Sequence, residues 1–85
     1  MSDVQSIAAL DRVRGIVAEV PEIDIESVEP DASFYDDLAA DSLEKVEIAV
    51  RVEREFEISV SPDEAAEMKS ASAVLALLRD KGKVV

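Results

Sequence analysis

Neither cysteine nor histidine occurs anywhere in the chain. The first absence excludes disulfides, thiolate metal sites and a cysteine nucleophile. The second removes the usual zinc ligand sets and the commonest general base, so no metal site is expected. Aromatic residues make up only 4% of the sequence, leaving small aliphatic side chains to build the core. Positive charge is also scarce: nine Lys and Arg stand against twenty Asp and Glu, a formal net charge of −11. Such a surface repels nucleic acid and anionic membranes and favours partners with basic patches, while part of the charge serves solubility. No apolar run approaches the roughly 20 residues of a membrane span, and the N-terminus has no signal-peptide pattern. The expected address is the cytoplasm, without membrane insertion.

What is present is 48% apolar residues, mostly Ala, Val, Leu and Ile, in 85 residues. That length predicts one domain, 1–85, whose folding buries about 60% of the unfolded surface. Ile7, Leu10, Val13, Ile16, Val17 and Val20 recur at helical spacing and predict a first helix over about Val4 to Val20, closed by Pro21. Gly15 inside it costs about 1 kcal/mol relative to alanine unless a close contact needs it. From Pro21 to Ala40 the pattern is irregular: a long loop anchored by Ile23, Ile25 and Val28, with a turn at Pro30-Asp31. Ser33 and Asp36 have the spacing of a capping box, which predicts one helical turn over Phe34 to Leu38.

The most regular segment runs from about Ser42 to Phe56, with Asp41 and Glu44 as its N-terminal cap. Ile48, Val52, Ala49 and Phe56 suit the core, whereas Leu43, Val46 and Val50 drift to a more exposed side. Ser61-Pro62-Asp63-Glu64 is a strong helix start, for a short helix ending near Met68 or Lys69. Ser70 caps a last helix with Val74, Leu77 and Leu78 inward and Gly82 at its end. Core residues should also include Ile58, Met68 and Ala71. The fold class is thus all-α: a small bundle of three main helices plus one short helix, with a long loop between the first and second.

Chemistry concentrates at Asp41-Ser42-Leu43. A serine at a helix start has exposed N–H groups beside it and the positive end of the helix dipole beneath it. A phosphate ester there gains about 0.3–1 kcal/mol. Asp-Ser alone is also an ordinary helix start. Its context is more specific. Phe34-Tyr35-Asp36-Asp37-Leu38-Ala39-Ala40-Asp41-Ser42-Leu43-Glu44-Lys45-Val46-Glu47 resembles the signature of acyl carrier proteins, in which Asp-Leu-Gly-x-Asp-Ser-Leu leads into an acidic second helix. The resemblance continues through Glu53-Arg54-Glu55-Phe56 and Ser61-Pro62-Asp63-Glu64-Ala65, and covers roughly residues 28 to 80.

The resemblance implies a carrier rather than an enzyme. Ser42 would receive 4′-phosphopantetheine from coenzyme A through a separate phosphopantetheinyl transferase and Mg²⁺, with Asp41 helping to present the site. The terminal thiol would hold acyl groups as thioesters for the loading and processing enzymes of fatty-acid or polyketide-type biosynthesis. Leu43, Val46, Glu47, Val50 and Glu53 match positions where the family meets its partner enzymes, by way of basic docking patches. The chain is expected to act as a monomer. In fatty-acid-type members the core surfaces can part to shelter an acyl chain.

Two departures from the pattern stand out. Ala39 replaces the family's glycine and removes easy access to positive φ. Arg51 and Arg54 put positive charge on a usually acidic helix. They either pair with Glu47, Glu55 or Asp63, or alter which enzymes dock. A carrier of aminoacyl or other unusual units is the alternative within the family, and an unmodified acidic adaptor is the alternative outside it. Asp36, Asp37 and Asp41 cluster, but they lack the alternating ligands and turn glycine of a calcium loop.

Overall fold

The computed structural model describes residues 2–83, with side chains from Ile7 to Lys83. Among these residues there are four helices and no strand. The elements are α1 (Ser2–Glu19), a 3₁₀ turn at Ile25–Ser27, α2 (Ser42–Phe56), α3 (Pro62–Glu67) and α4 (Ala71–Asp80). Three main helices and a short one are present, as the periodicity and caps predict.

The starts of α2, α3 and α4 follow the local chemistry read from the sequence. Ser61 Oγ accepts from the Glu64 N–H at 3.2 Å, and Glu64 Oε1 accepts from the Ser61 N–H at 2.9 Å. Ser70 Oγ accepts from the Ala73 N–H at 3.1 Å. The helix ends are less predictable. At α4, Gly82 takes φ +76°, while the Lys83 and Gly82 N–H groups donate to Leu78 and Arg79 carbonyls. That closes the helix as a glycine C′ residue normally does. At α1 and α2 the same left-handed position is filled by Glu22 (φ +56°) and Glu57 (φ +54°), neither of them glycine.

The core is one cluster. Val13 and Val17 of α1, Ile48 and Val52 of α2, and Val74 and Leu78 of α4 are fully buried. The α1–α4 contact is the most extensive between elements. Several residues expected inside are not. Ile7 is exposed, and Leu77 and Ile58 are only partly buried. Leu75 and the small Ala9 and Ala18 are buried instead. Gly15 answers no steric need: a Cβ built there meets only Ile25 Cδ1, at 4.0 Å, which is ordinary contact.

The long loop is held by specific backbone bonds. Phe34 is fully buried, a contribution of about 2–3 kcal/mol for a ring of its size. Its N–H donates to the Lys69 carbonyl at 2.9 Å, and its carbonyl accepts from the Ala40 N–H at 2.8 Å. The Ser72 N–H donates to the Pro30 carbonyl at 2.8 Å. From the other side, Arg14 donates through Nε to the Val28 carbonyl at 2.6 Å and through Nη2 to the Ile25 carbonyl at 3.0 Å. Val28 is buried as an anchor, whereas Ile25 is exposed and sits in the 3₁₀ turn. Phe34 to Leu38 forms a single helical turn that does not continue into a helix: the Asp37 N–H donates to the Ser33 carbonyl four residues back, the Leu38 N–H shares that carbonyl, and Ser33 Oγ accepts from the Asp36 N–H at 3.1 Å. The reciprocal carboxylate on the Ser33 N–H is Asp37 at 2.8 Å, not Asp36, because the helical turn places the residue four on beside that N–H. These bonds fix where α2 begins.

Candidate functional site

Asp41 is extended (φ −87°, ψ −178°) and caps α2. Its Oδ1 accepts from the Glu44 N–H at 2.8 Å, and Glu44 Oε1 accepts from the Asp41 N–H at 3.0 Å. Ser42 is the first helical residue, exposed, and its hydroxyl bonds to no described residue. The cap consumes the Glu44 N–H and leaves those of Ser42 and Leu43 open beside that hydroxyl. A phosphate ester on Ser42 therefore finds unpaired donors and the positive end of a 15-residue helix. The site fits such a group.

Just before it, Ala39 adopts φ +55°. The left-handed turn of the loop is kept without glycine, at a cost of about 1 kcal/mol. Ala40 is buried and ties the turn to the core. Asp37 is occupied by the Ser33 N–H and Asp41 by the Glu44 N–H, and among the described residues no acidic group is arranged to hold a metal ion.

Along α2, Leu43 (81% exposed), Val46 (61%) and Val50 face solvent beside Ile16 of α1, lining an open groove. Charged side chains rim it. Arg51 bridges the helices, with Nη2 2.8 Å from Glu47 Oε2 and Nη1 3.1 Å from Glu19 Oε1. Glu55 is taken by Arg12, whose guanidinium also lies 4.6 Å from the Phe56 ring centroid. Arg54 makes no ion pair among the described residues, and Asp63 pairs with neither arginine. Glu53 is half-buried, and its carboxylate accepts from the Val60 N–H at 2.7 Å, holding the segment between α2 and α3.

Two residues carry more than the sequence reading assigned them. Arg14 anchors the loop, and nothing in the local sequence signals that. Lys45 does have a signal: it lies three residues before Ile48 and seven before Val52, on the helix's core face. The residue is only 8% exposed, and Nζ lies 5.2 Å from the Tyr35 ring centroid. It forms no ion pair with any described residue. Burial, and then the neighbouring Lys69, lower its pKa from the usual 10.5.

The fold and site define a small helical carrier with a phosphate-accepting serine at a helix start. A family model described as a phosphopantetheine attachment site matches residues 11–78, and the chain belongs to that family. It is a carrier and not an enzyme, and its prosthetic group is covalent 4′-phosphopantetheine. Three relatives are named acyl carrier proteins. The protein of Thermosynechococcus vestitus is 40% identical over 72 residues, 85% of this chain and 89% of its own. That of Bdellovibrio bacteriovorus is 38% identical over 72 residues, 85% and 92% of the two chains. That of Phenylobacterium zucineum is 52% identical over 67 residues, 79% and 77%.

Proposed function

We propose that Ser42 carries the arm and that the open face of α2 presents the loaded carrier to enzymes of fatty-acid or polyketide-type biosynthesis. The observation that carries this reading is the exposed, unbonded Ser42 hydroxyl at the first residue of α2, flanked by open N–H groups. In the transferase complex, Ser42 Oγ attacks the pantetheine-side phosphorus of coenzyme A. The new Ser–O–P bond forms as the pyrophosphate P–O bond breaks, adenosine 3′,5′-bisphosphate leaves, and the serine proton passes to a base of the transferase. Asp41 holds the first turn so that the hydroxyl stays presented. The bound arm supplies a terminal thiol that holds acyl groups as thioesters. Tethering raises their effective concentration at each partner.

Leu43, Val46 and Val50, rimmed by Glu19, Glu47, Glu55, Arg51 and Arg54 on a strongly acidic chain, suit a shallow contact with a basic patch: the net charge speeds encounter, and a small apolar area permits release. Arg54 pairs with no described residue and Glu47 pairs only with Arg51, at a solvent-exposed position, which makes these two the rim charges best placed to discriminate among partners. Arg51 is occupied by two carboxylates, and Glu53 is committed to the Val60 N–H. The carrier acts as a monomeric cytoplasmic domain in this reading. No described helix is long and apolar enough to cross a membrane.

Intact-protein mass spectrometry after incubation with coenzyme A, Mg²⁺ and a broad-specificity transferase tests the assignment. One phosphopantetheine mass should appear, localised to Ser42 by fragmentation, and Ser42→Ala should gain none while keeping its helical circular dichroism. A modified Ser42→Ala protein would overturn the assignment.

A further inference from the structure

Lys45 is out of place. In a chain of net charge −11 it makes no ion pair with any described residue, and it is almost wholly removed from solvent. On the N-terminal side of Lys45, the carboxylates at the cap are engaged: Asp41 accepts the Glu44 N–H and Glu44 the Asp41 N–H. From the preceding loop it faces Tyr35, and from the segment between α3 and α4 it feels a second cation, Lys69. Holding a lysine's stem in the interior near a second cation, with no counter-ion, opposes folding.

Direction matters as much as burial. Side chains on a helix lean toward its N-terminus, and residues three apart are surface neighbours. The 5.2 Å approach of Nζ to a ring in the loop before α2 shows that Lys45 extends that way. No side-chain nitrogen is both wholly buried and unbonded, so the ammonium keeps an opening to solvent. The stem is buried and the ammonium is not wholly so, and Lys45 stands three residues after Ser42 on the same helix, within reach of a group attached there.

We infer that Lys45, backed by Lys69, forms a built-in counter-ion site for the phosphodiester of the arm on Ser42. The inference rests on the attachment of the arm to Ser42. The anion would supply the charge that Lys45 lacks, in a place where burial strengthens the pairing. Lys45 is a positioning residue: it would hold the root of the arm against the start of α2 and restrict the directions in which the arm leaves.

Mass spectrometry first verifies one arm on Ser42 of the wild-type protein; its absence would refute the attachment assignment and leave the Lys45 question separate. With the arm in place, the Lys45 side-chain resonance, assigned by comparison with Lys45→Arg, is titrated in the apo and loaded proteins. A paired phosphodiester should raise its midpoint by about half a unit or more on loading. The ³¹P resonance of the loaded protein should move in Lys45→Met and return toward the wild-type position in Lys45→Arg. An unchanged Lys45 midpoint between apo and loaded forms would overturn the inference and leave Lys45 a packed stem with a hydrated head. Because the wild-type comparison needs no variant, poor folding of Lys45→Met would not remove the test.

Discussion

At Ala39 a methyl group sits where the backbone turns left-handed, immediately before the attachment segment. Glu57 does the same at the end of α2. For an L-residue this conformation costs roughly 1–2 kcal/mol, part of which glycine would return as greater freedom of the unfolded chain. Ala39→Gly and Glu57→Gly should each stabilise the protein by about 0.5–1 kcal/mol, a rise of several degrees in thermal melts. A lowered melting temperature for both would show that neither position is strained. The sequence showed that Ala39 lacked glycine's freedom, but whether the loop still needed positive φ was invisible. The answer lay in burial: Phe34 and Ala40, joined by a backbone bond and both in the core, force the turn, and alanine complies.

Individual helices differ in what their charges do. On α2, Glu53 and Glu47 look alike in sequence, yet one accepts a backbone N–H and the other pairs with Arg51 in solvent. Glu53→Ala should therefore cost about 1–3 kcal/mol in urea unfolding, as an amide loses its partner. Glu47→Ala should stay within about 0.5 kcal/mol while slowing turnover by partner enzymes. Equal stability losses would undo the distinction and with it the choice of Glu47 as the cleaner docking probe. The α3–α4 pair has its own electrostatic tie: Lys81 Nζ lies 3.1 Å from Glu64 Oε2. The Ser61 N–H, and next the Lys81 ammonium, hold the Glu64 carboxyl below its usual 4.5. A carboxyl depressed in the folded state contributes fully above its unfolded value and loses that contribution as pH falls through the folded one. The melting-temperature difference between wild type and Glu64→Gln should be level near neutrality and shrink below pH 4.5. A difference that grows on acidification would reverse the assigned sign.

For the molecule as a whole, a net charge of −11 on 85 residues means self-repulsion. Raising NaCl to physiological strength shortens the Debye length to about 8 Å and should lift the melting temperature by roughly 5 °C, equivalent to ~1 kcal/mol in a domain this small. A fall with added salt would mean that the few ion pairs, such as Arg51 with Glu19 and Glu47, outweigh the repulsion. Local chemistry alone determined the helix starts, since Asp41, Ser61 and Ser70 bond within three residues of themselves. It also determined the exposed line of Leu43, Val46 and Val50, which follows from helical period, and the place of Ser42 at a helix start. Tertiary structure decided what depends on residues far apart in the chain. Arg14 reaches the carbonyls of Ile25 and Val28, Arg51 finds Glu19 on another helix, and Phe34 ties the loop to Lys69. Lys45 lies between the two: its period put it on the core face, but only the packing of Tyr35 and Lys69 around it left a lysine with a buried stem and no anion. Covalent neighbours set a side chain's direction along its helix, whereas its solvent and its partners exist only once the helices have met.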